Sequence, residues 1–272
     1  MTAMARLMLL LLLVWADVTG GDVQKRIIGG QTCGQTERLY HVRLRPVTPG
    51  GSGRLCAGSL ISDRWILTAA HCWPAGWTMY ANISVHPGRG QEVQITRQEV
   101  YSDTNGRHDI MLLQLPQTPT QIHLIALPDC AHGPPPIQQG VLQHPQHPPS
   151  HAYVRNEIVQ MAGYGATTVL SSNERGSDKP NTLQCVNITV VDCTRLRSIK
   201  QAERSPRLYQ HWFCGQTPGV DTCPGDSGGG VVYQNQIYGV HCFTGDPKTA
   251  CNEAAGFMDV CEYKQWILST IA

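Results

Sequence analysis

The chain has 272 residues, with 21 Lys+Arg against 20 Asp+Glu, a formal charge of +1, and 15% charged residues in all. That balance excludes a bulk electrostatic attraction to nucleic acid or to a membrane surface. With 27 Gly and 18 Pro, the composition suits a compact all-β protein with many turns.

The chain opens on an address. Arg6 precedes an apolar run over residues 7–16, followed by the small residues Ala16 and Gly20. This reads as a secretory signal peptide over about residues 1–20, ending between 16 and 21, too short to span a bilayer. No later run is apolar enough to cross a membrane, so a secreted, extracellular protein is expected. Export changes the reading of the 11 cysteines toward disulfides, with at least one left over.

Lys25-Arg26 precedes Ile27-Ile28-Gly29-Gly30. The pair reads either as exposed dibasic residues or as a processing site that ends a short propeptide (21–26) and frees the α-amino group of Ile27. Residues 27–272 then fit one large β domain or two small barrels. Short apolar or alternating runs recur between turn signals at 40–44, 59–61, 65–68, 80–86, 92–100, 110–115, 158–161, 183–191, 229–233, 236–242 and 256–260. Such spacing predicts antiparallel barrels or sandwiches. One helix is predicted, over about 263–271, with Trp266, Ile267 and Ile271 on one face.

Residues 131–151 interrupt the pattern with Pro134, Pro135, Pro136, Pro145, Pro148 and Pro149. Prolines at that density prevent regular pairing, so an exposed, partly extended loop is predicted. His132, His144, His147 and His151 are interleaved irregularly with no Cys or carboxylate among them, so a loop or partner surface is preferred to a zinc site.

Three stretches carry chemistry. In 221–230 (DTCPGDSGGG) a serine sits among four glycines, which allow sharp turns. Such a turn presents a hydroxyl with backbone N–H groups beside it, the needs of a nucleophile with an oxyanion hole. His71, in LTAAHC at a strand end, is the candidate base. Asp109, opening the apolar run DIMLL, is the candidate orienting carboxylate, since a charge there requires a partner.

Together IIGG, TAAHC, DIMLL, GYG and GDSGG, in that order, resemble the trypsin/chymotrypsin family of serine proteases over nearly the whole chain from Ile27. The resemblance implies two six-stranded antiparallel Greek-key β-barrels and a C-terminal α-helix: a first barrel over about 27–130, the Pro/His-rich insertion, and a second barrel over about 152–262. It implies a serine endopeptidase with Ser227 as nucleophile, His71 as base, Asp109 as its orienter, and the N–H groups of Gly225 and Ser227 as the oxyanion hole. Asp226 would pair with the α-ammonium of Ile27 after cleavage at Arg26, making the uncut chain a zymogen. Asp221 would be the floor of the primary specificity pocket and select Arg or Lys. Thr222 would stand beside it and Gly256 would be a pocket-wall glycine.

The resemblance also implies the disulfides Cys33–Cys185, Cys56–Cys72, Cys130–Cys261, Cys193–Cys214 and Cys223–Cys251, leaving Cys242. Val159 and Tyr233 stand where a further family pair is common. The chain departs from the pattern at Cys242, where a serine usually supports the triad aspartate, at Phe243 for tryptophan, and at Thr244 for a glycine at the pocket mouth. Thr244 pointing inward would gate the pocket. Asn82 and Asn187 open glycosylation sequons. No calcium site, metal or cofactor is expected. The expected partners are protein or peptide substrates, protein protease inhibitors and an activating protease, with no nucleic acid or membrane, and a monomer is expected. The rivals are a non-enzymatic binding homologue of the same fold and a protease whose occluded pocket prefers small or apolar residues.

Overall fold

The computed structural model describes residues 27–130 and 156–272. The expected signal peptide, Arg26 and the Pro/His-rich insertion lie outside the described residues.

Two antiparallel sheets make up the molecule. The first contains β2 (His41–Val47), β3 (Cys56–Leu60), β4 (Trp65–Thr68), β5 (Thr78–Ile83), β6 (Gln91–Ile95), β7 (Arg97–Asp103) and β8 (Gly106–Gln114), in the order β6-β5-β2-β3-β4-β8-β7. The second contains β1 (Gln31–Thr32), β9 (Ile158–Gly163), β10 (Gln184–Val191), β11 (Trp212–Gly215), β12 (Gly230–Tyr233), β13 (Gln236–Thr244) and β14 (Ala255–Asp259). Its order is β1-β10-β11-β14-β13-β12-β9, and β9 pairs back onto β10, closing six strands into a barrel with β1 attached outside. The first sheet is curled, with no pairing between its end strands β6 and β7 among the described residues.

Side-chain alternation shows which face of the sheet points inward. In β5, Met79, Ala81 and Ile83 are buried while Thr78, Tyr80 and Asn82 are half-buried, the period-2 pattern of a strand with one face on a core. In β8, Ile110 to Leu113 are buried on both faces. One face fills the barrel, and the other is covered by the rest of the chain. The second core gathers Val159, Met161, Val186, Ile188, Phe213, Val231 and Phe257 around Ile27.

Two helices accompany the sheets. The first, α1 (Thr194–Ala202), buries only Leu196 and Lys200, an apolar stripe too thin to read from sequence. The second, α2 (Val260–Ile271), begins three residues earlier than its periodicity suggested, because Asp259 caps it by accepting a bond from the Cys261 N–H at 3.0 Å. The run 92–100, read as one strand, is two: β6 pairs with β5 and β7 with β8, so the chain turns a corner at Thr96. The short strands β1 and β11 carried no separate sequence signal.

α2 reaches across to the first sheet. The Tyr263 hydroxyl accepts from the His211 N–H (3.2 Å) and lies 2.7 Å from His108 Nδ1. His108 Nε2 lies 3.1 Å from Asp103. The strand residue immediately before Asp109 is thus anchored to the C-terminal helix.

Candidate active site

His71 lies in a single 3-10 turn, Ala70–Cys72, directly after β4. Cys72 is bonded to Cys56 in β3, which pins that turn to the sheet. Asp109 enters from β8, which pairs with β4, so the register of two neighbouring strands brings the residues together. His71 Nδ1 is 3.0 Å from each carboxylate oxygen of Asp109, and the His71 main-chain N–H donates to Oδ1 at 2.9 Å. The Asp109 main-chain N–H donates to Gln210 Oε1 at 2.9 Å. Burial alone pushes the Asp109 carboxyl up, but the hydrogen bonds and charge of His71 and the Arg207 guanidinium hold it down at about 2.

Arg207 is a residue that sequence reasoning missed. It lies in a short 3-10 segment, Pro206–Tyr209, and its Nη2 and Nε donate to Asp109 Oδ2 at 3.0 and 3.2 Å. Its guanidinium also lies over the Phe243 ring, 5.2 Å from the centroid. Cys242, fully enclosed, donates its thiol to the Asp109 main-chain carbonyl at 3.2 Å rather than to the carboxylate. Arg207 therefore supplies side-chain donors to the carboxylate beyond those of His71. An isolated arginine in a polar loop gives no sequence signal for that role.

Ser227 is half-exposed, on a bend fixed by its neighbours. Its carbonyl accepts from the Ala57 N–H at 2.7 Å and lies 3.5 Å from Cys72 Sγ, so the elbow rests on the same disulfide that holds His71. Gly228 has φ +82°, and a Cβ there would sit 2.2 Å from Thr68 Oγ1, so only glycine fits. The N–H groups of Gly225 and Ser227 have no hydrogen-bond acceptor among the described residues. No hydrogen bond joins Ser227 Oγ to His71 among them either. Asp226 is wholly buried and accepts from the N–H groups of Gly165 (2.8 Å) and Cys223 (2.9 Å). Without a cation beside it among the described residues, burial raises its carboxyl to about 6.

Ile27, also wholly buried, has φ 42°, and the segment after it docks beside Asp221, whose N–H donates to the Ile28 carbonyl at 3.0 Å. Asp221 is 5% exposed. Its Oδ1 accepts from the Thr222 N–H (2.8 Å) and its Oδ2 from the Cys251 N–H (2.7 Å) and from Arg175 Nη2 (2.6 Å). Burial pushes this carboxyl up, against the downward pull of the Cys251 N–H and the guanidinium. Arg175 is a second residue the sequence did not flag. It also donates to the carbonyls of Thr222 (3.1 Å) and Asp246 (2.7 Å). Thr222 turns its hydroxyl to His241 Nε2 at 2.9 Å; burial lowers this histidine to about 3 and keeps it neutral. Thr244 is half-buried and donates to the same Asp246 carbonyl as Arg175, at 3.1 Å.

A Cβ on Gly256 would sit 2.2 Å from the Phe243 ring, and Ala255 lines a small cavity shared with Asp221, Thr222 and Val220. One expectation is corrected here. The bridge Cys223–Cys251 is not formed, and both thiols are free although both pack with Ile28 and Ala166. Cys251, at φ 57°, aims its N–H at Asp221, and its loop is tied instead to the segment around Arg175 by Arg175 N–H to the Lys248 carbonyl and Ala250 N–H to the Asn173 carbonyl. The bonds Cys33–Cys185, Cys56–Cys72, Cys130–Cys261 and Cys193–Cys214 are formed, and Cys242 is free.

Asn187 is exposed on β10, while Asn82 is half-buried in β5 with its amide donating to the Arg89 carbonyl at 3.4 Å. Among the described residues, metal-ligating types converge only at Cys56, His71 and Cys72, where the two sulfurs are already joined to each other and offer no thiolate. No described helix is long and apolar enough to cross a membrane.

The family model described as Trypsin matches residues 27–267. The chain is 27% identical to "Trypsin-3" of Salmo salar over 262 residues, covering 92% of this chain and 95% of that protein. It is 29% identical to a "Trypsin" of Xenopus laevis over 277 aligned positions, covering 98% and 99%. It is 26% identical to "Kallikrein-8" of Rattus norvegicus, covering 97% and 94%. On the family match and the two-sheet fold that carries it, the chain belongs to the trypsin family and is a serine endopeptidase.

Proposed function

We propose that the protein is a secreted zymogen that hydrolyses peptide bonds through Ser227, His71 and Asp109. The observation that carries this reading is the His71–Asp109 pair at 3.0 Å, resting through the Cys56–Cys72 bridge against the Ser227 elbow. Ser227 Oγ attacks the scissile carbonyl carbon while His71 Nε2 takes its proton. The imidazolium then gives that proton to the leaving amine, leaving an acyl-serine. Water attacks the acyl carbon by the same proton path and restores the hydroxyl. Gly225 and Ser227 N–H groups receive the oxyanion; one such donor is worth roughly 3–4 kcal/mol in the transition state. Asp109 fixes the histidine tautomer. Cleavage after Arg26 supplies the Ile27 α-ammonium that the buried Asp226 carboxylate lacks, which orders the oxyanion loop.

At the primary pocket, Asp221 would receive an Arg or Lys side chain. A second reading, a pocket serving small or apolar residues, is favoured by the ion pair that Asp221 already makes with Arg175. Protein inhibitors of serine proteases and an activating protease complete the expected partners, and the exposed Asn187 supports a glycan there. The test uses protein cut after Arg26 and amide and ester substrates ending in Arg, Ala or Phe. Turnover is expected, with Ser227→Ala reducing kcat/KM by at least about 10⁴-fold. Equal turnover by Ser227→Ala would reject the reading.

A further inference from the structure

We infer that Arg175 is a specificity-determining residue that locks the primary pocket from within, so that a basic substrate side chain reaches Asp221 only by displacing it. The inference rests on the proposed placement of Asp221 as the pocket floor.

The geometry is that of a bound substrate arginine, supplied by the chain itself. All three guanidinium nitrogens are engaged: Nη2 on Asp221, Nε on the Thr222 carbonyl and Nη1 on the Asp246 carbonyl. The two charged side chains are only 5% and 4% exposed. A buried carboxylate is costly without a counter-ion, and this one is matched internally. Of the roughly four acceptor sites of the carboxylate, only one on Oδ1 is left for a ligand: Asp221 Oδ2 already accepts twice and Oδ1 accepts from Thr222 N–H. An incoming guanidinium needs both oxygens for a bidentate fork, and it would meet a fixed cation of the same sign.

The arm is held at its base. Asp178 accepts from the N–H and hydroxyl groups of Thr167 and Thr168, and burial notwithstanding, those bonds bring its carboxyl down to about 2. The Arg175 N–H donates to the Lys248 carbonyl, and Glu174 bridges to Thr249. The segment carrying Arg175 is thus zipped to the loop that carries Cys251, whose N–H also bonds Asp221. Thr244 donates its hydroxyl to the same Asp246 carbonyl as Arg175, which ties β13 to this arrangement. As folded, the pocket is electrically neutral and suits small uncharged side chains, whereas its floor is built for a cation.

The test compares the full-length chain, cut after Arg26, with its Arg175→Gln and Arg175→Lys variants, produced in the presence of benzamidine so that Asp221 keeps a counter-ion while folding. Two readouts are taken. Benzamidine affinity by calorimetry reports the pocket without any chemistry. The ratio of kcat/KM for an Arg ester over an Ala ester reports specificity. Arg175→Gln is expected to bind benzamidine at least about tenfold more tightly than the parent and to raise the Arg/Ala ratio by a similar factor. Arg175→Lys, which keeps a cation but is too short for all three acceptors, is expected to show a smaller gain. The gain should vanish in Arg175→Gln combined with Asp221→Asn. Folded variants that bind benzamidine no better than the parent would overturn the inference. Phosphonate labelling of Ser227 in every sample keeps that outcome separate from a failure of the protease reading: unlabelled serine sinks the reading, whereas unchanged benzamidine affinity sinks the lock.

Discussion

Two buried aspartates carry opposite shifts. Asp109 is held at about 2 against the pull of burial, so its contribution to stability is complete above the ordinary carboxyl value of about 3.9 and is lost as pH falls toward 2. Asp226 is raised to about 6, so between pH 4 and 6 the folded chain holds a proton that the unfolded chain releases. The contribution of Asp226 to the stability of the uncut chain should therefore fall as pH rises through that window, by on the order of 3 kcal/mol, and level off above it. The measurement is the thermal midpoint of Arg26→Gln, which stays uncut, at pH 5 and pH 7. The buried histidines His41 and His241, both lowered to about 3, make stability rise with pH over the same range, so the Asp226 share is read by difference: Arg26→Gln with Asp226→Asn should gain more in midpoint from pH 5 to pH 7 than Arg26→Gln alone. If the two variants showed the same pH slope, the uncompensated carboxylate would carry no such share.

Arg207 lends itself to a similar test. It contributes two of the side-chain bonds to Asp109, so Arg207→Met should lower kcat by about tenfold with little change in KM. Adding Cys242→Ser, which places a hydroxyl beside Asp109, should recover part of the loss; a fall confined to KM would place Arg207 on the substrate instead. Neither Arg207 nor Arg175 was legible in the sequence, because each acts through a fold-dependent partner nearly a hundred or about fifty positions away. His71, Asp109 and Ser227 were legible because their local surroundings are distinctive: small residues before a histidine, a charge opening an apolar strand, a serine among glycines.

Between elements, the contact of most consequence is that of α2 with β8. Tyr263 is 1% exposed, and its hydroxyl joins His108 to the His211 N–H. Tyr263→Phe leaves both groups short of a partner and should destabilise the fold by about 1–3 kcal/mol. Because His108 immediately precedes Asp109, kcat should fall as well; an unchanged kcat in the destabilised variant would show that the helix stabilises the strand without positioning it. The period-2 runs located most strands, and Trp65–Thr68 matches its expected bounds. Segments whose burial comes from distant packing were not legible. β11 is covered on both sides by β10 and β14 and shows no alternation, and α1 is mostly polar.

At the scale of the whole molecule, two sheets each supply part of the proposed site. The first carries His71 and Asp109, and the second carries the Ser227 elbow, Asp221 and the buried Ile27. The all-β class and the family were readable because motifs in fixed order span the chain. The electrical state of the pocket was not, since it depends on which charge the fold delivers to Asp221. The most direct test of the central claim is active-site labelling with a phosphonate, mapped by peptide mass. In protein cut after Arg26, modification of Ser227 alone is expected, with His71→Ala and uncut Arg26→Gln labelled far more slowly. A cut, folded chain whose Ser227 stays unmodified would contradict it.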